Sequence, residues 1–323
     1  MKIMGLGLLG GLVGLLMLWV VVNFAGGLIP EFLLAPVRDP ALLDKAEAKQ
    51  CGDCHKAIYE AWKESRHSRA WISKNYIKDS EDRTKEKCLP CHIPQVVRAG
   101  KKPDPRLDQR DEGIFCVSCH VKDGAMHGPH NVLSPPHPTR QNQNYNSSKL
   151  CGSCHEKTFE QWEKTGERET CQSCHMPRTK KRLTQKPPLS WLHREQWVGD
   201  HRFLHGDFEA DTLGVQVSWT DSRIVLGLKN QTVPHHVPTA DNGDPRLYLE
   251  TRLLEDSGKE YDNIREILAP QQETALPYNQ EVTFRYRVPE KVRRASIQIL
   301  YRPAWSKEKK PVWSGDFDRN SDG

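Results

Sequence analysis

Five copies of one short pattern constrain this chain more than anything else in it. They read Cys51-Gly-Asp-Cys54-His55, Cys88-Leu-Pro-Cys91-His92, Cys116-Val-Ser-Cys119-His120, Cys151-Gly-Ser-Cys154-His155 and Cys171-Gln-Ser-Cys174-His175, and together they use all 10 cysteines of the 323 residues. Cys-x-x-Cys-His is the attachment pattern of a c-type haem: two thiols add to the vinyl groups and the adjacent imidazole reaches the iron. Structural zinc merges two cysteine half-sites into one tetrahedral set and has no need of a histidine after every pair. A disulfide framework would leave the two-residue spacing and the invariable histidine as coincidences. The expectation is five covalently bound haem c groups, with His55, His92, His120, His155 and His175 as proximal iron ligands.

The surrounding composition agrees. Hydrophobic residues make up 37% of the chain, mean hydropathy is −0.71, and the stretch 51–175 is poor in Val, Ile and Leu. Such a stretch cannot build an ordinary core, but macrocycles covered by Tyr59, Trp62, Trp71 and Trp162 supply apolar surface in its place. A loop-rich domain of short helices is expected, unfolded without its cofactors. The formal charge of +5 does not indicate a nucleic-acid partner, because each haem c contributes about −1 oxidised and −2 reduced through its propionates and iron. Lys and Arg side chains then pair with propionates. The basic run Arg178, Lys180, Lys181, Arg182 and Lys186 reads as such a loop, with a docking patch for an acidic redox partner as the alternative.

At the N-terminus, Ile3 to Val22 is an apolar run of the length that spans a bilayer as a helix. Asn23-Phe24-Ala25 is a poor cleavage site, so residues 1–30 are expected to form an uncleaved transmembrane signal-anchor. With Lys2 cytoplasmic, the haem and β domains would be membrane-anchored on the periplasmic, extracytoplasmic side.

The haem region contains a repeat. Cys51 to Trp62 and Cys151 to Trp162 match at an offset of 100 residues, and Cys88 to Pro94 matches Cys171 to Pro177. Each first motif opens a helix-compatible run, and Pro94 and Pro177 stop any helix after each second one. Sixth ligands decide between a carrier and a catalyst. Beyond the proximal set remain His67, His127, His130, His137, His193, His201, His205, His235 and His236, with Met126 and Met176 the methionine alternatives outside the anchor. If Lys56 to Ser68 is helical, His67 lies about 18 Å from His55 and must serve another haem. The turn-rich stretch 123–139 can aim His130 and His137 inward.

Several segments resemble the multihaem cytochromes c related to cytochrome c-554: Glu112 to His120, His137-Pro-Thr139, Leu150 to His155, Glu169 to Pro177, His201-Arg-Phe203 and His235-His-Val-Pro-Thr239. The resemblance implies close-packed bis-histidine haems and electron transfer, and distal roles for His67, His137, His201 and His235. This chain departs from the namesake in having five motifs where it has four, and Ala240 stands where the Pro-Thr-Gly pattern has glycine, which makes His236 the substitute for His235. The distal set is thus His67, His130, His137, His201 and His235, with His127, His193, His205 and His236 as remaining candidates.

The last third is different material. Val215–Trp219, Ile224–Leu228, Leu247–Leu254, Val282–Tyr286 and Ala295–Tyr301 alternate or run apolar over strand lengths, separated by turn formers such as Asp241-Asn-Gly-Asp-Pro245. The expected fold is multidomain. A transmembrane signal-anchor (1–30) leads through a linker (31–47) to a mainly α, loop-rich pentahaem cytochrome c domain (48–208). An all-β, immunoglobulin-like sandwich (209–303) and a flexible tail (304–323) follow. The expected function is an electron relay between a membrane quinol-oxidising partner and an exported reductase or acceptor, more a carrier than a catalyst, with no catalytic residue assigned. The alternative is a haem enzyme with one open iron acting on a small nitrogen or sulfur species. No motif has lysine in place of its histidine, the mark of one pentahaem nitrite reductase family.

Overall fold

The computed structural model describes residues 2–24, 29–205, 208, 211–220 and 222–319. They fall into two compact units, Met1–Cys154 with Glu169–Gly206, and His155–Arg168 with Asp207–Gly323. The division passes through the fourth motif, so the helix that follows it belongs to the β-rich unit.

In the first unit, every helix after the N-terminal one has nine residues or fewer. The longest, Lys56–Glu64, begins directly after His55 and buries Trp62, whose indole donates to the Ile114 carbonyl at 2.8 Å. It stops at Ser65, which is extended; the Ser65 hydroxyl accepts the Ser68 amide, and His67 therefore lies beyond the helix. The apolar clusters here are small: Ala48, Trp62 and Phe115 in one, Trp71, Tyr76 and Ile93 in another. This fits a segment whose sequence has too little aliphatic material for a core of its own. The third motif forms the helix Cys116–His120, followed by a small sheet of β1 (Val121–Lys122), β2 (Ala125–Gly128) and β3 (Thr139–Gln141). After the fifth motif, β4 (Arg178–Lys181) pairs antiparallel with β5 (Gln196–Gly199), so the basic run begins as a strand.

The N-terminal helix, Lys2–Phe24, corrects an expectation. Among the described residues, no helix is long and apolar enough to cross a membrane. The expected transmembrane signal-anchor is overturned, and with it membrane anchoring through this helix. The reason lies in the last turn. Val22 and Asn23 are only 3% and 2% exposed; the Asn23 amide donates to the Trp19 and Leu192 carbonyls and accepts the Arg194 amide, and the Val22 carbonyl accepts the Leu133 amide. A turn bound into protein this way is lost from a span that needs about 20 lipid-facing residues.

The second unit is built on two sheets. One has the order β10-β7-β6 and the other β12-β11-β8-β9, from β6 (Leu213–Thr220), β7 (Arg223–Asn230), β8 (Arg246–Glu255), β9 (Glu260–Leu268), β10 (Glu281–Arg287), β11 (Val292–Arg302) and β12 (Lys310–Asp318). Period-two alternation sends Ile224, Leu226 and Leu228 of β7, Leu247, Leu249 and Leu253 of β8, and Ala295, Ile297 and Ile299 of β11 into one shared core. Each such Leu or Ile contributes roughly 1.5–3 kcal/mol by leaving water. Residues 310–318, expected to be part of a polar tail, form the edge strand β12 instead. The helix Glu156–Thr165, closed by Gly166 in the left-handed conformation, also belongs to this unit.

Candidate haem-binding region

The motif histidines are oriented alike in the first unit. His55 Nδ1 meets the Leu183 carbonyl at 2.5 Å, and His92 Nδ1 meets that of Ala70 at 2.6 Å. His120 Nδ1 meets the His127 carbonyl at 2.6 Å, and His175 Nδ1 meets that of Leu204 at 2.6 Å. A carbonyl only accepts, so each Nδ1 carries the proton and each Nε2 keeps a lone pair for a metal. Burial lowers the pKa of His55 and takes that of His120 down to about 4, so both rings are neutral at pH 7, as a ligand must be. Tyr76 stacks on His92 with centroids 3.7 Å apart, and Tyr145 stacks on His120 at 5.1 Å while its hydroxyl donates to the Cys119 carbonyl. His155, in the second unit, faces a carboxylate: its Nδ1 lies 3.7 Å from Asp241 Oδ2. Burial pushes the Asp241 carboxyl up, but bonding to His155, Lys157 and Thr158 more than offsets it, leaving it below the usual carboxylate range.

The candidate distal histidines are placed unequally. The His137 ring centroid lies 6.4 Å from that of His55, with the planes tilted by 37°, and His201 lies 6.2 Å from His120, tilted by 30°. Burial holds His137 at a pKa of about 4 and lowers that of His201. His201 Nδ1 is bonded to the Gly199 carbonyl at 2.9 Å, whereas His137 has the hydroxyls of Ser134 at Nε2 and Thr139 at Nδ1. His67 packs edge-on against Phe203 at 4.2 Å. His130 lines a polar cleft with Asn23, Gln141 and Arg194. His127 has both ring nitrogens engaged, by the Lys122 carbonyl and the Asn142 amide, and serves His120 through its own main chain. His193 is 6% exposed; burial lowers its pKa, against a backbone contact from Leu133. His205 is exposed. In the second unit, His235 Nδ1 contacts the His236 carbonyl, and the His236 amide and Thr239 hydroxyl both bond Gln161 of the helix Glu156–Thr165.

The thiols show which motifs are neighbours within the first unit. Cys51 is in hydrogen-bonding contact with Cys116, Cys91 with Cys154, and Cys151 with Cys171. Motif one thus neighbours motif three, two neighbours four, and four neighbours five, whereas the sequence repeat groups one with two and four with five. The spacer between motifs two and three is pinned by Arg106, 7% exposed. Its guanidinium donates to the carbonyls of Pro94, Gln109 and Gly113 and to the Ser118 hydroxyl and lies 4.7 Å over the Phe115 ring; burial pulls its pKa down to about 10. A lone arginine gives no sequence signal for that role. Asp241 did carry one, standing two residues after the Pro238-Thr239 that ends the family-like segment.

Paired thiols beside a histidine whose Nδ1 is turned to a protein acceptor are the donor set a covalent haem requires. Residues 50–121 match the family model described as "Cytochrome c554 and c-prime". Cytochrome c-554 of Nitrosomonas europaea is 25% identical over 134 residues, covering 33% of this chain and 55% of that protein; the chain therefore matches about half the length of this curated relative. A penta-heme cytochrome c552 from Thermochromatium tepidum superposes with a TM-score of 0.60 at 16% identity, covering 85% of this chain and 99% of the other. These likenesses relate the chain to the multihaem c-type cytochromes, which hold their haem covalently. Within that class it is related to cytochrome c-554.

Proposed function

We propose that this cytochrome is a five-haem electron relay in which every iron is held between two histidines. The observation that carries this reading is the pair of ring separations, 6.4 Å for His55 with His137 and 6.2 Å for His120 with His201. Two imidazoles bound through Nε2 to opposite sides of one metal, by bonds of about 2.0–2.1 Å, have ring centroids roughly 6 Å apart. His55 with His137 and His120 with His201 would therefore hold the irons of motifs one and three. For His137 to bind through Nε2, the Ser134 hydroxyl gives up its contact there. His92, His155 and His175 would hold the remaining irons, with His67, His130, His193 and His235 as the pool of second ligands.

When bound, the haems supply reversible one-electron chemistry. The protein's part would be to supply a second histidine to each iron, so that electrons move and no substrate binds there. Two imidazoles without a thioether favour low potentials. The thiol contacts support passage from motif one to three and from two through four to five, between an electron-donating protein such as a quinol-oxidising complex and an accepting reductase or cytochrome. Replacing His137 or His201 by Ala tests the assignment on the haem-loaded protein. Each variant is expected to convert one low-spin haem to high-spin in its optical spectrum; two unchanged spectra would reject the pairing.

A further inference from the structure

Four of the motif histidines are backed by main-chain carbonyls at 2.5–2.6 Å, while His155 faces the carboxylate of Asp241. Asp241 is built into place. Its side chain is 14% exposed; Oδ1 accepts the Lys157 amide at 2.6 Å, and Oδ2 accepts the Thr158 hydroxyl at 3.2 Å, which also meets the Thr239 hydroxyl at 3.0 Å. Lys157 and Thr158 lie in the first turn of the helix Glu156–Thr165, where free amides and the positive end of the helix dipole hold a negative charge.

We propose that Asp241 is a positioning residue that sets the redox potential at the fourth motif. Its fixed charge behind His155 makes that site harder to reduce than it would be with a carbonyl there. A carbonyl offers the Nδ1–H a partial charge, whereas a carboxylate offers a full one. An imidazole drawn toward an anion is the stronger donor and stabilises the ferric over the ferrous state. The reaction concerned is the one-electron couple, Fe(III) + e⁻ → Fe(II), with the electron supplied by the redox partner and no proton taken up. The inference rests on the proposed role of His155 as an axial ligand. Of the five motifs, only the fourth has its histidine in the β-rich unit, so this unit carries a control over one step of the relay.

The test is a spectroelectrochemical titration of the full-length, haem-loaded protein and two variants. Asp241→Asn keeps an oxygen for the Lys157 amide and removes the charge. It is expected to raise one potential by a tenfold change in the one-electron equilibrium, or 59 mV, and leave the others in place. Thr158→Ala frees Oδ2 from its competing donor and is expected to lower that same potential. Mass spectrometry of the Cys151–Cys154 peptide separates the possible failures. A loaded peptide with unmoved potentials in both variants would overturn this inference alone. A wild-type peptide without haem would overturn the ligand assignment beneath it as well. If Asp241→Asn fails to load, Thr158→Ala still decides, and a potential that does not fall contradicts the proposal.

Discussion

Each motif histidine is set by two residues, the cysteine before it and a partner for Nδ1 that fixes its orientation. The first is written locally in every motif and is legible from spacing alone. The second comes from 7 residues away for His120 and 128 for His55, and a main-chain carbonyl leaves no trace in residue identity. Gly113 shows a similar blind spot. It sits at φ +61°, and a Cβ there would stand 2.5 Å from the His67 carbonyl and 3.1 Å from the Ala70 amide, in the loop where that carbonyl accepts the Ile114 amide. Gly113→Ala is expected to cost about 2 kcal/mol, seen as a lower thermal midpoint of the haem-loaded protein; an unchanged midpoint would contradict the strain. His137 and His201, which the structure brings within 6.4 Å and 6.2 Å of His55 and His120, stand among the candidates the sequence offers. It ranked His193 behind His130, and the structure buries His193 more deeply, because burial depends on the end of the N-terminal helix and Leu133, which local spacing does not report.

At the scale of elements, strands with an apolar face were readable and charged edge strands were not. β6, β7, β8, β10 and β11 cover the five runs identified from alternation. β9 (Glu-Tyr-Asp-Asn-Ile-Arg-Glu-Ile-Leu) and β12 (Lys-Pro-Val-Trp-Ser-Gly-Asp-Phe-Asp) are the two edges of the second sheet, and charge on an edge strand masks period-two patterning while discouraging further pairing. The N-terminal helix failed in the opposite direction: an apolar run of spanning length says nothing about whether its last turn is bound to protein. The loop entering β8 provides a pH-dependent check on the β-rich unit. Burial raises the Asp244 carboxyl, but Arg246 and Arg302 more than offset this and hold it below the usual carboxylate range, each pair at 2.8 Å. A carboxylate depressed in the folded state stabilises fully above its unfolded value of about 3.9 and loses that contribution as pH falls through the lower folded value. With 41% of this side chain exposed, Asp244→Asn is expected to cost only about 1 kcal/mol at pH 7. The gap should close below pH 4; a penalty constant down to pH 3 would show that the ion pairs are not its source.

At the scale of the molecule, the two units draw stability from different sources. The β-rich unit has a shared core of 15 buried residues, whereas the two clusters of the haem unit have three each. A chain with all ten motif cysteines replaced by Ser is expected to keep one cooperative thermal transition, from the β-rich unit, and to show no ordered tertiary signal from the other. A second transition in that apoprotein would mean the haem unit folds on protein contacts alone. The central claim concerns the irons, and low-temperature EPR of the oxidised, fully loaded protein, before and after adding nitrite or hydroxylamine, tests it most directly. The relay predicts that low-spin ferric signals account for all five haems and do not move with either addition. A high-spin signal that shifts on addition would contradict it and establish an open iron in its place.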